Sequence, residues 1–489
     1  MATTNRLTAA DRDDLRGSAR IIYGNPFSEP QGAADGRRHA AADGNSQHKH
    51  FLSALIPDLQ ARIADWERRG LGSLERAGGE DRELLRYAFL FEIYHGSLDE
   101  LDGLIQDQLR EDESLPVPFA GRVLARLKTR GFADGEALHY LALFYQLRRA
   151  YYFIARSLVG DSACMRRLRR ELWDSVFSYD VRHYDRHLWN RMEDFSTLLL
   201  GETGTGKGAA AAAIGRSAFI PFDRRSQRFA ASFTRTFIAT NLSQFSAGLV
   251  ESELFGHRKG AFTGAIDDHQ GLFGLCSAHG ALFLDEIGDI GVPVQIKLLR
   301  VLQERSYTPV GGHQPRRFAG RVITATNRRL DELRRRGEFR DDLFYRLCSN
   351  MITVPPLRQR IRESGGELGQ LAGTLLQRLT GEDDPAFAGR VLDDLQAGLP
   401  PDYAWPGNVR ELEQALRRVL LTRRYAGEAP TAATGDTEAW LYRLRDGDLD
   451  AKGLMSGYCA LLYRRHGTYE EVARRTGLDR RTVKKYLDD

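Results

Sequence analysis

Apolar positions recur at three- and four-residue spacing from Phe51 to about Val159, the spacing of helix faces packed on one another. Leu52, Leu55, Ile56, Leu59 and Ile63 open the pattern, and Leu84, Leu85, Tyr87, Ala88, Leu90 and Phe91 form a second run. A third, Ala137–Leu158, carries Tyr140, Leu143, Phe144, Leu147, Tyr151 and Phe153. Pro116 and Pro118 break the chain between them. The aromatic stripe reads as core, with an oligomer face or a ligand cavity as alternatives. His95 and His139 read as core or surface histidines. After Arg191 the texture changes. Short apolar runs, Phe195–Leu200, Phe237–Thr240, Ala281–Leu284 and Val322–Ala325, alternate with helical stretches, which predicts an α/β domain on a mainly parallel sheet.

The flanks differ. Residues 1–48 are polar and predict a mobile arm; His48 and His50 there lack a third ligand and read as solvated. From Asp402 to Leu421 the pattern is helical again. Arg423–Asp448 is enriched in Gly, Ala, Thr and Asp around Pro430 and reads as a linker, apart from an apolar piece at Trp440–Leu444. A small helical unit closes the chain.

Composition narrows the class. With 489 residues about three domains are expected, and 42% hydrophobic residues exclude a disordered or fibrous chain. Seventy Lys and Arg against 66 Asp and Glu leave a net charge of +4, so a nucleic-acid surface must be a local cluster. Four cysteines without a C-x-x-C pair encode neither a disulfide framework nor a zinc site. No apolar run reaches the roughly 18 residues of a membrane span, and Met1–Arg20 has no signal-peptide core, so a cytoplasmic protein is expected.

The strongest chemical signal is Gly201-Glu202-Thr203-Gly204-Thr205-Gly206-Lys207, between the apolar run Thr197–Leu200 and the helix-forming run Ala209–Ala213. Backbone N–H groups of a glycine-rich turn and a helix N-terminus cradle phosphate oxygens, and Lys207 adds a point charge. Position 208 is Gly, where such loops usually carry a Ser or Thr hydroxyl for Mg²⁺. Downstream, Ala281-Leu-Phe-Leu-Asp285-Glu286 is a strand ending in two carboxylates, which assigns Asp285 to Mg²⁺ and Glu286 to the attacking water. The pair of motifs indicates an NTPase that uses Mg²⁺.

Glu251-Ser-Glu-Leu-Phe-Gly-His-Arg-Lys-Gly260-Ala261-Phe262-Thr263-Gly264-Ala265 resembles the signature loop of the AAA+ activators of sigma-54 RNA polymerase. The resemblance covers about residues 158–422 and begins at Gly160-Asp-Ser-Ala-Cys-Met165. It implies that Gly260–Ala265 contact sigma-54 and that Asn241 holds the catalytic glutamate until nucleotide is sensed. Asn327, in Ala325-Thr-Asn, resembles sensor I. Arg340 and Arg346, in Phe339–Leu347, resemble arginine fingers reaching a neighbouring subunit. Arg410, in Trp405-Pro-Gly-Asn-Val-Arg, resembles sensor II. In this family the position of Gly208 is usually Glu, so nucleotide-dependent tuning is altered there. The stretch Trp173–Trp189 is longer than usual and reads as an added contact surface or extra packing.

Thr468–Leu487 reads as helix, Gly477 turn, helix, with Val472, Ala473, Leu478, Val483 and Leu487 inside and Asp479 capping the second helix. Arg480, Arg481, Thr482, Lys484 and Lys485 lie near its exposed face. The segment resembles the Fis-type helix-turn-helix of the same activators, a DNA reader whose second helix enters the major groove.

The expected fold is multidomain. A mobile arm (1–48) precedes a helical N-terminal regulatory region (49–157). A P-loop AAA+ α/β ATPase subdomain (158–354) and its helical lid (355–423) follow, then a linker (424–449) and an all-α helix-turn-helix domain (450–489). The expected function is a sigma-54-dependent activator: a homo-oligomer, a hexamer, that binds enhancer DNA and remodels sigma-54 RNA polymerase with ATP. A DNA-binding regulator whose ATPase is only an assembly switch, and a AAA+ machine with another client, are the competing readings.

Overall fold

The computed structural model describes residues 6–28, 44–246, 248–400, 402–427, 440–441, 443–444, 447 and 449–488. They fall into two units, each with its own contacts: residues 1–393 with 404–420, and residues 394–403 with 421–489.

The first unit begins with helices α1 (Ala9–Ile22), α2 (Gly44–Arg68), α3 (Gly79–His95), α4 (Leu98–Gln108), α5 (Ala120–Thr129) and α6 (Asp134–Ser157). The start of the chain corrects the mobile-arm expectation. Thr8 caps α1 reciprocally with Asp11, Leu7 and Leu15 are buried in the core, and Arg12 pairs with Asp81 at 2.6 Å. Polar composition hid a helix that needs only one apolar stripe to dock. His48 and His50 have side chains outside the described residues. Pro116 and Pro118 do end the helical pattern, and the intervening Val117 donates its N–H to Gln227 O.

Helices α7 (Ala163–Phe177) and α8 (Val181–His187) lead into a sheet region with strands β1 (Thr197–Leu200), β2 (Phe222–Asp223), β3 (Arg228–Phe229), β4 (Phe237–Asn241), β5 (Ala281–Asp285), β6 (Ser306–Tyr307), β7 (Arg316–Arg317), β8 (Arg321–Thr326) and β9 (Asn350–Thr353). Five of them form one parallel sheet in the order β4-β5-β8-β1-β9; β2–β3 and β6–β7 are small antiparallel pairs. The four predicted apolar runs are four of those five strands. The fifth, β9, was not read as a strand, because Asn350-Met-Ile-Thr is only half apolar and lies on the sheet edge.

Side-chain alternation divides the sheet into two faces. Leu199, Phe283, Ile323, Ala325 and Ile352 face α9 (Lys207–Gly215) and the N-terminal helices. Leu198, Leu282, Leu284 and Val322 share a second core with the helices that follow in the chain. These are α11 (Val250–Phe255), α12 (Leu272–Leu275), α13 (Val292–Glu304), α14 (Leu330–Arg335) and α15 (Asp341–Leu347), whereas the short α10 (Phe233–Thr236) buries Phe233 in the first core. The first core runs without interruption from Leu7 to Val354, so the boundary expected near residue 157 is not a boundary in packing. The long stretch Trp173–Trp189 is part of the reason. Tyr184 is fully buried and exchanges hydrogen bonds with Gln146 on α6, and Asp185 accepts from Tyr140 at 3.1 Å.

The lid helices are α16 (Leu357–Glu363), α17 (Glu367–Thr380), α18 (Pro385–Ala397) and α19 (Asn408–Thr422). A buried ion pair, Arg360–Glu367 at 2.7 Å, ties α16 to α17. Glu367 also accepts the N–H groups of Asp161 and Ser162, in the space that Gly160 leaves by lacking a side chain. The second unit contains α20 (Ala451–His466), α21 (Tyr469–Thr476) and α22 (Arg480–Asp488). Residues 428–439 of the expected linker lie outside the described residues; Trp440, Leu441, Arg443 and Leu444 are helical.

Candidate nucleotide site and effector surfaces

Strand β1 ends at Leu200, the loop Gly201–Gly206 turns, and α9 starts at Lys207, so the glycine-rich loop feeds a helix N-terminus. Thr205 folds its hydroxyl onto Glu202 O at 2.9 Å. Lys207 is buried, and its ammonium donates to Gly201 O at 2.9 Å and Glu202 O at 3.1 Å. Burial lowers its pKa, while the nearby carboxylates of Glu286 and Asp285 act in the opposite sense. Lys207 is therefore within electrostatic reach of both acids. A Cβ on Gly208 meets nothing within 4 Å, so the missing side chain is not forced by space.

Strand β5 carries the acids to the same end of the sheet. Glu286 sits in the left-handed region at φ 56°, ψ 47°, a strained conformation for a glutamate, and its N–H donates to Asp285 Oδ1 at 3.0 Å. Desolvation raises the Glu286 pKa despite a hydrogen bond from the Asn327 N–H at 3.3 Å. The Asn327 amide reaches the other way, to Thr203 Oγ1 at 2.7 Å. One residue at the end of β8 thus joins the second acid to the glycine-rich loop. Asn241 lies beside Asp285 in the register of β4 and β5, but its Oδ1 accepts from Ser243 N and Oγ at 3.0 and 2.8 Å. In this structure it is Asn327 that bonds to Glu286.

The lid closes on the loop from α16 and α19. Gly204 has φ +80°, and a Cβ there sits 2.3 Å from Gly407 O and 3.0 Å from Arg410 Cβ, so only glycine admits this contact. Val409 N donates to Gly204 O at 3.0 Å. The charge of Arg410 contributes to the lowered pKa of Lys207, which puts the residue at the phosphate loop. Glu202 turns its carboxylate away from the loop, to Arg358 (2.7 Å) and the buried Asn408 (3.2 Å). These two lid residues escaped the sequence reading. Asn408 stood inside the quoted Trp405–Arg410 stretch, whereas Arg358 carries no local signal beyond its place after Pro355-Pro356.

No group of three or more His, Cys, Asp or Glu able to hold a metal occurs among the described residues. Mg²⁺ in nucleotide sites takes one or two carboxylates and completes its shell with phosphates and water. A lone Asp285 at the strand end fits that donor set.

Arg340 and Arg346 do not point into this assembly of groups. Arg340 pairs with Asp342 at 2.6 Å, and Arg346 donates to Leu302 O at 3.0 and 2.7 Å.

The loop Gly260–Ala265 is a closed turn. Gly260 N donates to Ala265 O at 2.8 Å, Ala265 N to Phe262 O at 3.0 Å, and Gly260 and Gly264 have φ of +79° and +102°. Phe262 stays 39% exposed while its edge meets His257, 4.9 Å between centroids, and Ile266 beside it is 75% exposed. Thr263 and two apolar side chains thus stand at a surface tip.

In the second unit Val472 and Val483 are buried with Cys459 and Leu462 of α20, and Ala473, Leu478 and Leu487 pack against them. Asp479 accepts the N–H groups of Arg481 (2.8 Å) and Thr482 (3.0 Å) and holds the Thr482 hydroxyl, which makes Thr482 part of the cap. Arg480, Arg481, Lys484 and Lys485 are exposed on α22, with Arg480 3.0 Å from Glu470.

Residues 183–353 match the sigma-54 interaction domain. The transcriptional regulatory protein ZraR of Klebsiella oxytoca is 40% identical over 334 residues, 67% of either chain. The regulatory protein AtoC of Escherichia coli K12 is 41% identical over 226 residues, and the Nif-specific regulatory protein of Klebsiella pneumoniae 43% over 227. The chain spans only 45% and 39% of those two relatives. Among solved structures, NtrX from Brucella abortus in complex with ATP is similar at 20% identity over 76% of this chain and 80% of that one, with a TM-score of 0.41. By the extent of the ZraR match and the sigma-54 interaction domain, this chain belongs to the sigma-54-dependent enhancer-binding transcriptional activators.

Proposed function

We propose that the protein hydrolyses ATP in an oligomeric ring, a hexamer, and uses the cycle to press the Gly260–Ala265 loops against sigma-54 RNA polymerase, turning the closed promoter complex into the open one. The observation that carries this reading is the meeting of Lys207, Asp285, Glu286, Asn327 and Arg410 around one glycine-rich loop. The intact Phe262–Thr263 tip gives that chemistry an output.

Backbone N–H groups of Gly201–Gly208 bind the phosphates, and Lys207 exchanges its two loop carbonyls for phosphate oxygens. Glu286, with its raised pKa, is the base that orients and deprotonates the attacking water. Asp285 would hold Mg²⁺, which when bound would supply charge neutralisation at the phosphates. Asn241 and Asn327 sense the γ-phosphate state. Arg340 and Arg346 complete the site of the adjoining subunit, which requires each to leave its present partner. The C-terminal unit binds enhancer DNA through Arg480, Arg481, Lys484 and Lys485, with Thr482 holding the helix start. The protein works in the cytoplasm.

The test is open-complex formation by sigma-54 polymerase on a supercoiled promoter, with ATP or a non-hydrolysable analogue. Opening that requires hydrolysable ATP and is lost in Thr263→Ala, with ATP turnover retained, supports the reading. If the protein turns over ATP yet never opens the promoter, the assembly-switch or other-client readings replace it.

A further inference from the structure

Between the N-terminal helices and α7–α8 lies a cavity of about 1250 Å³, larger than the usual 300–1,000 Å³ of small-molecule sites. Its wall is aromatic: Tyr87, Phe91, Tyr94, Tyr140 and Tyr151 from α3 and α6, and Trp173 from α7. The stripe read from the sequence as core is thus core on one side and cavity wall on the other. Stacked and edge-on ring contacts favour a ligand that itself carries rings.

Most charges on the wall are already matched. Arg86 pairs with Glu136 at 2.5 Å, Arg148 with Asp102 at 2.6 Å, Arg186 with Glu83 at 2.9 Å and Arg182 with Asp180 at 2.6 Å. Arg156 lies over the Tyr152 ring, and His139 contacts Asp185 at 2.5 Å. Apart from an anion at Arg156, an ionic ligand would have to break one of these contacts, whereas a neutral one can keep them and use their spare lone pairs and the tyrosine hydroxyls. Burial pushes the Tyr94 phenol up to about 12, so it remains an O–H donor.

The cavity has a direct mechanical route to the phosphate loop. Tyr140, Leu143, Leu147 and Tyr151 of α6 line it. From another face of the same helix, Arg149 donates to Arg216 O and Ala218 O, each at 2.7 Å, and Gln146 to Ser217 O at 2.9 Å. Those carbonyls follow the C-terminal end of α9, the helix that begins with Lys207. Arg149 is fully buried, without a carboxylate partner, and spends its charge on that helix end.

We propose that this cavity is a binding site for a neutral, ring-bearing organic molecule, and that its occupancy is passed through α6 to the phosphate-loop helix. The coupling half rests on reading Gly201–Gly208 as the nucleotide site; the binding half does not.

The probe is N-phenyl-1-naphthylamine, a neutral aromatic fluorophore, titrated into the full-length protein, with anionic 8-anilinonaphthalene-1-sulfonate as the charged comparison. Hydrogen exchange of the amides of residues 208–217 is followed in parallel, a readout that needs no ATP turnover. The expected result has three parts. The neutral probe saturates at one per chain and binds at least tenfold tighter than the anion. Leu147→Trp and, independently, Ala155→Trp at the cavity wall weaken it at least tenfold. Exchange in α9 changes on binding, and Arg149→Met abolishes that change while binding persists. Absence of saturable binding, or binding indifferent to both tryptophan variants while circular dichroism shows them folded, overturns the site. Saturable binding with unaltered exchange in α9 overturns the coupling.

Discussion

The carboxylate of Glu202, second residue of the glycine-rich loop, is forked by the guanidinium of Arg358 at the start of the lid. The pair lowers the Glu202 pKa, with the Arg358 hydrogen bond as the largest cause. The pair thus ties the loop to the lid. The partners are 43% and 37% exposed, so solvent screening holds the pair to about 1 kcal/mol. Glu202→Gln is expected to weaken ATP binding roughly fivefold, as RT ln 5 is about 1 kcal/mol. Titration with a fluorescent ATP analogue measures it; unchanged affinity in both Glu202→Gln and Arg358→Ala would make the pair a bystander.

Glu286 is the second test of the site. Glu286→Gln should keep ATP affinity within about threefold while turnover falls at least a hundredfold, in the range of general-base losses. Because desolvation raises its pKa, the base takes up its proton at a higher pH than a free glutamate does. ATPase activity should therefore fall as pH is lowered, with its acidic limb above the ordinary carboxylate range. A limb at or below the range of free glutamate would remove Glu286 from the base role.

Arg340 and Arg346 are engaged by Asp342 and Leu302 O within their own subunit. Arg340→Ala and Arg346→Ala should each leave ATP binding intact and cut turnover by roughly a thousandfold, as loss of a transferred-charge stabiliser does. Mixing Arg340→Ala with Glu286→Gln should restore part of the activity, since a mixed ring contains interfaces with both groups intact. Failure of the mixture to exceed either variant alone argues that the arginine works in its own subunit.

The buried Arg360–Glu367 pair makes a stability prediction. Glu367→Ala strands a guanidinium that is 4% exposed and frees the N–H groups of Asp161 and Ser162, at a cost of about 3–5 kcal/mol. Urea unfolding followed by tryptophan fluorescence reports it. A loss below about 1 kcal/mol would place the segment around Gly160 outside the cooperative unit.

On α22, Lys484→Ala should weaken DNA binding by similar factors across sequences and reduce the salt slope by about one. Thr482→Ala should act through its cap on Asp479, lowering stability of the C-terminal unit by about 1 kcal/mol. Fluorescence anisotropy at several salt concentrations separates the two effects.

The parts of this protein that the sequence determined are those set by short-range chemistry. The glycine-rich turn between an apolar run and a helix, the apolar run ending in two acids, and the loop Gly260–Ala265 are each a local rule about φ, burial or hydrogen bonding. So are four of the five sheet strands and the Asp479 cap. Tertiary structure decided what depends on partners far apart in the chain. Ala9–Ile22 became a docked helix because Asp81 on α3 lies 69 to 74 positions from Arg12 and Leu7. Asn327 rather than Asn241 bonds to Glu286 because the strand ends bring residues 286 and 327 together. Arg358 reaches Glu202 across 156 positions, and Tyr184 locks α8 to α6 across 38. The same aromatic stripe became partly core and partly cavity. Periodicity records only that a face is covered, while what covers it is fixed by the packing of the whole chain.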